Sequence, residues 1–202
     1  MSTALRPDLA AIAAMIRSGA RVLDVGCGDG ALLEHLKTRS VDGRGIEISQ
    51  ANVNACVARG LAVVQGDADT DLVDYPAQVF DAVILSQTIQ ATEKPSHVLR
   101  ELLRIGKRVI ISFPNFGHWR VRLSLLFRGH MPVTDALGHS WHETPNIHLC
   151  TISDFLALAH ETGAHIEKAL ALIDNERTRA MDPDAWGPNI FAQGAIFLLA
   201  KK

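Results

Sequence analysis

The stretch Asp24-Val25-Gly26-Cys27-Gly28-Asp29-Gly30 decides how this chain is read. Arg21–Val25, which leads into it, is a short run rich in Val and Leu, the pattern of a buried strand. Ala31–Thr38, which follows it, places Leu32, Leu33 and Leu36 on one helix face. Glycines between a strand and a helix permit positive φ and close backbone approach to a ligand. The helix that opens there turns unpaired N–H groups toward the same place. The loop therefore suits a nucleotide-like ligand with a polar tail.

Working outward, the same alternation repeats. Asp8–Ser18 reads as a short helix after Pro7. Gly43–Ile48 reads as a second strand, and Gln50–Arg59 as a helix with Val53 and Val57 one turn apart. Leu61–Gln65 and Phe80–Leu85 are a third and a fourth strand. Pro95 opens a helix whose apolar face is Val98, Leu99, Leu102 and Leu103, and Lys107–Phe113 is a fifth strand. Strands alternating with short helices predict an α/β, Rossmann-like, doubly wound and mostly parallel sheet. After Pro114 the alternation breaks. Val121–Phe127 and Ser153–Thr162 read as helices, and His165–Ile173 and Ala192–Ala200 as late strands joined by a polar loop, Asp174–Pro188. Two strands without a helix between them pair antiparallel or leave the sheet, so a C-terminal antiparallel hairpin is expected.

The chain has 202 residues, which fits a single domain, residues 1–202, with an inserted segment at about 113–151. Its formal charge is −2, which argues against a nucleic-acid backbone as partner. Three scattered cysteines without a CxxC pair fit a reducing cytosol, hence a cytoplasmic protein. No run reaches the roughly 20 apolar residues of a membrane span.

Two ligand readings stay open at the loop. Gly26, Gly28 and Ala31 satisfy the G-x-G-x-x-G/A dinucleotide pattern, with Glu47 about 20 residues on, so a dinucleotide-dependent oxidoreductase fits. Asp24, however, would repel a pyrophosphate. S-adenosylmethionine carries a sulfonium and an ammonium, and it suits Asp24 better. A purely structural role is a third option: a tight turn, a solvated strand end at Glu47 and a helix cap at Asp67.

At these residues the chain resembles the class I S-adenosylmethionine-dependent methyltransferases. Their acidic-x-Gly-x-Gly-x-Gly motif corresponds to Asp24, Gly26, Gly28 and Gly30. The acidic residue that ends their second strand corresponds to Glu47, and the one that follows their third to Asp67 within Gly66-Asp67-Ala68. Phe80-Asp81 to Ser86-Gln87 matches their fourth strand. The resemblance implies that S-adenosylmethionine or S-adenosylhomocysteine is held by Asp24, by the loop at Gly26, Cys27, Gly28 and Gly30, by Glu47 with Ile48, by Asp67 with Ala68, and by Ser86 with Gln87. Four motifs in order weigh against the purely structural option.

The segment after the fifth strand gathers His118, His130, His139, His142 and His148 with Trp119 and Trp141. His118, His142 and His148 are the candidate general bases. His139-Ser140-Trp141-His142-Glu143 matches no HExxH or HxxEH pattern, and no metal is expected. A longer resemblance lies here. Ser86–Thr92, Phe113–Arg120, Met131–Thr134 and Thr144–Thr151 are similar to the methionine-biosynthesis MetW family. That resemblance implies a role in methionine biosynthesis beside a homoserine O-acyltransferase, with the Phe113–Thr151 segment in the contact. The alternative is an active small-molecule methyltransferase whose acceptor is unknown. Gln90 stands where many such enzymes place a histidine after the fourth strand, and a neutral amide is no base.

Overall fold

The computed structural model describes residues 5–134, 137–174 and 177–201. The strands are β1 (Arg21–Val25), β2 (Asp42–Glu47), β3 (Ala62–Gln65), β4 (Ala82–Ser86), β5 (Arg108–Pro114), β6 (Ala164–Asp174), β7 (Arg177–Ala180) and β8 (Gly194–Lys201). The helices are α1 (Pro7–Ala14), α2 (Ala31–Lys37), α3 (Gln50–Ala58), α4 (Pro95–Ile105), α5 (Trp119–Arg128), α6 (Ile152–Glu161) and α7 (Trp186–Phe191). Among the described residues the strands form one sheet in the order β3-β2-β1-β4-β5-β8-β6-β7. β1 to β5 run parallel, and β8 is antiparallel to both β5 and β6.

The central strands are apolar on both faces because helices cover both. Val22, Ile84, Ile110 and Ile196 face one layer, where Ile12 and Ile16 of the N-terminal region and Leu32 and Leu36 of α2 pack. Leu23, Val25, Val83, Leu85, Val109 and Ile111 face the other, against Leu99 and Leu102 of α4 and Phe155 of α6. Phe155 meets Phe113 at 4.7 Å and Phe197 at 4.9 Å between ring centroids, which ties α6 to β5 and β8. Thr151 and Asp154 form a capping box at the start of α6.

The order reverses at β1, whose neighbours are β2 and β4. In an open parallel sheet the crevice beyond such a reversal is the ligand site. The ends of β1, β2, β4 and β5 therefore deliver Gly26, Glu47, Gln87 and Asn115 to one edge.

Several expectations are corrected in detail. α1 ends at Ala14, short of Ser18. Phe80 makes only an isolated bridge to Gly106, and β4 begins at Ala82. On α3 the buried partner of Val53 is Cys56, one turn on, while Val57 is exposed. The polar loop expected over 174–188 contains β7 and leads into α7, while β6 and β8 pair antiparallel as expected. Residues 175–176 of that loop lie outside the described residues. Tertiary bonds hold α7 where propensity does not. The Asn115 side chain donates to Asn189 O at 3.0 Å and Ala192 O at 2.9 Å, and the Ser153 amide donates to Asn189 Oδ1. Pro188 sits in the first turn, where a missing N–H breaks no helical bond.

Candidate functional site

β1 delivers the chain into the glycine loop, and β2 fixes it. The Gly26 and Cys27 amides both donate to Ile46 O, at 2.8 and 3.1 Å. Gly28 and Gly30 have φ of +56° and +77°, the left-handed region that side chains avoid. A Cβ on Gly30 would lie 2.6 Å from Leu61 Cδ1 and 2.8 Å from Cys56 Sγ. A Cβ on Gly28 would meet nothing within 4 Å, so the upper side of the loop is open. Cys27 packs below it with Leu33, Val53, Cys56, Leu61 and Val63. Burial, first among its causes, pushes its thiol far above the ordinary range, so the sulfur stays a neutral thiol.

Two carboxylates flank the loop. Glu47 is buried and bonded: Oε2 accepts the Gly28 amide at 2.8 Å and Oε1 the Ser49 amide at 2.9 Å. Asp24 is 3% exposed, and among the described residues no donor bonds its carboxylate. Burial first, and then the charge of Glu47, push its pKa up to about 7, while Arg6 pulls the other way. A buried carboxylate without a bonded partner is costly, and a cationic ligand would remove that cost. Ile48, at the turn after β2, is 66% exposed, an apolar side chain standing at the rim.

The remaining expected residues sit at the same edge. Asp67 Oδ1 accepts the Asp69 amide at 2.9 Å, and Asp71 holds the Asp67 amide at 2.8 Å, a turn that fixes Asp67 and half-buried Ala68 after β3. Ser86 Oγ pairs with Ser112 Oγ at 3.0 Å. The Gln87 amide donates to Ser112 O at 2.8 Å, and Gln87 has a φ of +54°, a strained backbone for a residue with a Cβ.

Beside this groove lies a cavity of about 560 Å³. Gln87, Gln90 and Pro114 line its sheet side, and Leu137, His139, Pro145 and Asn146 line it from the inserted segment. The Ile147 and His148 amides both donate to Gln90 O at 2.9 Å, which pins that segment over the strand ends. The candidate histidines do not line this cavity. His118 is buried as the N-cap of α5, its Nδ1 accepting the Arg120 amide, and burial depresses its pKa. His142 and His148 are exposed. His139 lines the cavity instead, with Arg6 and Asp8 from before and within α1. Sequence reading passed over these three because nothing in their spacing links residues 6 and 8 to residues 90 and 139.

Comparisons with known proteins give the family and the fold. The family model described as methionine biosynthesis protein MetW matches residues 6–199. The bifunctional methionine biosynthesis protein MetXA/MetW of Rhodopirellula baltica is 33% identical over 95% of this chain. The chain spans only 32% of that relative's length. A ubiquinone biosynthesis O-methyltransferase of Hahella chejuensis is 31% identical over 44% of this chain and 40% of its own. Two solved structures share the fold. A possible histamine N-methyltransferase of Thermotoga maritima has a TM-score of 0.70 at 17% identity, covering 97% of this chain and 88% of its own. The magnesium protoporphyrin IX methyltransferase of Synechocystis, with bound S-adenosylhomocysteine, has a TM-score of 0.65 at 16% identity, covering 96% and 82%. With the fold of S-adenosylmethionine-dependent methyltransferases and a family match along nearly its whole length, the chain belongs to the MetW family of methionine-biosynthesis proteins.

Proposed function

We propose that this chain binds S-adenosylmethionine or S-adenosylhomocysteine above the glycine loop and acts with a homoserine O-acyltransferase in methionine biosynthesis. One observation carries the cofactor reading. Asp24 and Glu47 place two buried carboxylates against a positive-φ glycine loop, and Asp24 has no bonded donor among the described residues. That charge repels a dinucleotide pyrophosphate and attracts an ammonium or sulfonium.

The residues fit the cofactor. Asp24 would take the ammonium, Glu47 the ribose hydroxyls through its remaining lone pairs, and Asp67 with Ala68 the adenine edge. Exposed Ile48 would cover a ring face, the backbone at Gly26, Cys27 and Gly30 would shape the loop under the ligand, and Gly28 leaves the room. Ser86 and Gln87 complete the wall toward the cavity. When bound, S-adenosylmethionine supplies a methyl group on a positively charged sulfur, open to in-line attack.

The partner reading rests on the fused relative and on the surface of the inserted segment. Trp141, Leu126 and Phe127 are 78%, 73% and 76% exposed, and Trp119 is 40% exposed. Clustered exposed aromatics mark interfaces. The cavity beside the groove favours a second reading, an active small-molecule methyltransferase. Calorimetry with S-adenosylmethionine, S-adenosylhomocysteine and NAD tests the cofactor. Heat from the sulfur compounds and none from NAD is expected, and the opposite pattern overturns it.

A further inference from the structure

We infer that the 560 Å³ cavity is a binding site for a small α-amino acid whose side chain carries a hydroxyl or amide hydrogen. The inference deepens the proposed function, because the cavity adjoins the cofactor groove through Gln87. Three observations define the ligand.

The first is charge. Arg6 and Asp8 are the charged residues among those lining the cavity, one of each sign. They form a two-point pair, with Arg6 Nε 3.2 Å from Asp8 Oδ1 and Arg6 Nη2 3.1 Å from Asp8 Oδ2. Asp8 is buried, while Arg6, bonded to it at two points, is exposed. A zwitterion matches this pair charge for charge and would replace it, with its carboxylate at Arg6 and its ammonium at Asp8. A dicarboxylate would bring one anion too many, and a diamine one cation too many.

The second is an orphan acceptor. Gln90 is 4% exposed, and its Nε2 donates to Gln87 O at 2.7 Å, which fixes the amide orientation. Its Oε1 is buried without a hydrogen-bond partner. Such an oxygen costs free energy until a donor reaches it, so the ligand brings an O–H or N–H. The third is shape. Pro114, Leu137 and Leu172 give the cavity an apolar wall for a short methylene stem, and the segment pinned at Gln90 O by Ile147 and His148 roofs it.

The test is calorimetry on the full chain, first with S-adenosylhomocysteine and then, at its saturation, with four probes. L-homoserine and L-glutamine carry the donor, L-methionine lacks it, and L-glutamate adds a charge. We expect the two donor-bearing probes to bind about tenfold tighter than L-methionine, the worth of one hydrogen bond to a buried orphan. L-glutamate should bind more weakly still. Gln90→Met keeps the backbone carbonyl and the volume, and it should erase the advantage over L-methionine. Asp8→Asn should weaken all α-amino acids alike, and retained S-adenosylhomocysteine binding shows that each variant is folded. Equal binding of all four probes, or no amino-acid binding at millimolar concentration, overturns the inference while leaving the cofactor reading intact. Amino-acid binding without S-adenosylhomocysteine binding overturns the cofactor reading alone.

Discussion

Glu47 holds Gly28: the amide after the first loop turn donates to Glu47 Oε2 at 2.8 Å, so a carboxylate at the end of β2 sets the shape of the loop after β1. The same carboxylate steadies the turn into α3 through Ser49. Glu47→Gln would set an amide NH₂ against one of two backbone N–H groups. Loss of a charge-assisted bond is worth about 1.5–3 kcal/mol, so affinity for S-adenosylhomocysteine should fall tenfold or more. Circular dichroism should show the fold intact. Unchanged affinity in a folded variant would remove Glu47 from the site.

Asp24 should make ligand binding at the glycine loop depend on pH. Its folded carboxyl is raised to about 7, first by burial. A raised carboxyl holds its proton in the folded state and loses it earlier when unfolded. The free protein is therefore most stable at the acid end of the window and loses stability as pH rises from about 4 to 7, by at most about 1.4 kcal/mol per unit. A cationic ligand needs the carboxylate, so its affinity rises over the same window and levels off above it. Thermal melts and calorimetry across these pH values check both slopes, and Asp24→Asn should flatten them. Affinity that falls with rising pH would contradict the assignment.

The two glycines separate binding from stability. Gly30→Ala meets Leu61 and Cys56 and carries a positive φ, so it should cost about 1–3 kcal/mol of stability. Gly28→Ala faces open space and should cost only about 1 kcal/mol in stability from its backbone angle. Its methyl occupies the ligand side of the loop, so it should lose cofactor binding. Denaturant titration with calorimetry on both variants tests this, and a Gly28→Ala protein that binds normally refutes the groove.

Association with a homoserine O-acyltransferase should run through the inserted segment. Trp141→Ala and a Leu126→Ser, Phe127→Ser double variant remove exposed side chains, so they should leave the melting temperature unchanged. They should cut co-purification with the acyltransferase by tenfold or more, as losses at interface hot spots do. Full complex formation by both variants would move the contact elsewhere, and no complex with the parent chain would favour a self-sufficient enzyme.

Much of the fold was legible because glycines and apolar runs act locally. β1 falls at the residues expected, and the acidic positions Asp24, Glu47 and Asp67 all reach the same sheet edge. Val57 misled because helical spacing allows two partners for Val53, and only packing chose Cys56. α7 was illegible because Trp-Gly-Pro-Asn has poor helix propensity and is held by Asn115, more than seventy residues earlier in the chain. The cavity was illegible for the same reason. Arg6, Gln90 and His139 share it only after the sheet has assembled.

β8 wedges between β5 and β6, antiparallel to each. β5 ends at Pro114 and β6 at Asp174, so a ribosome releases both before β8, which begins at Gly194. Until Gly194–Lys201 emerges, β5 ends the parallel half with a bare apolar edge, and bare edges recruit foreign strands. Synthesis thus leaves a waiting interval in which the half that carries the glycine loop is built but unsealed, and in which a chaperone or an already folded companion would find its most receptive moment.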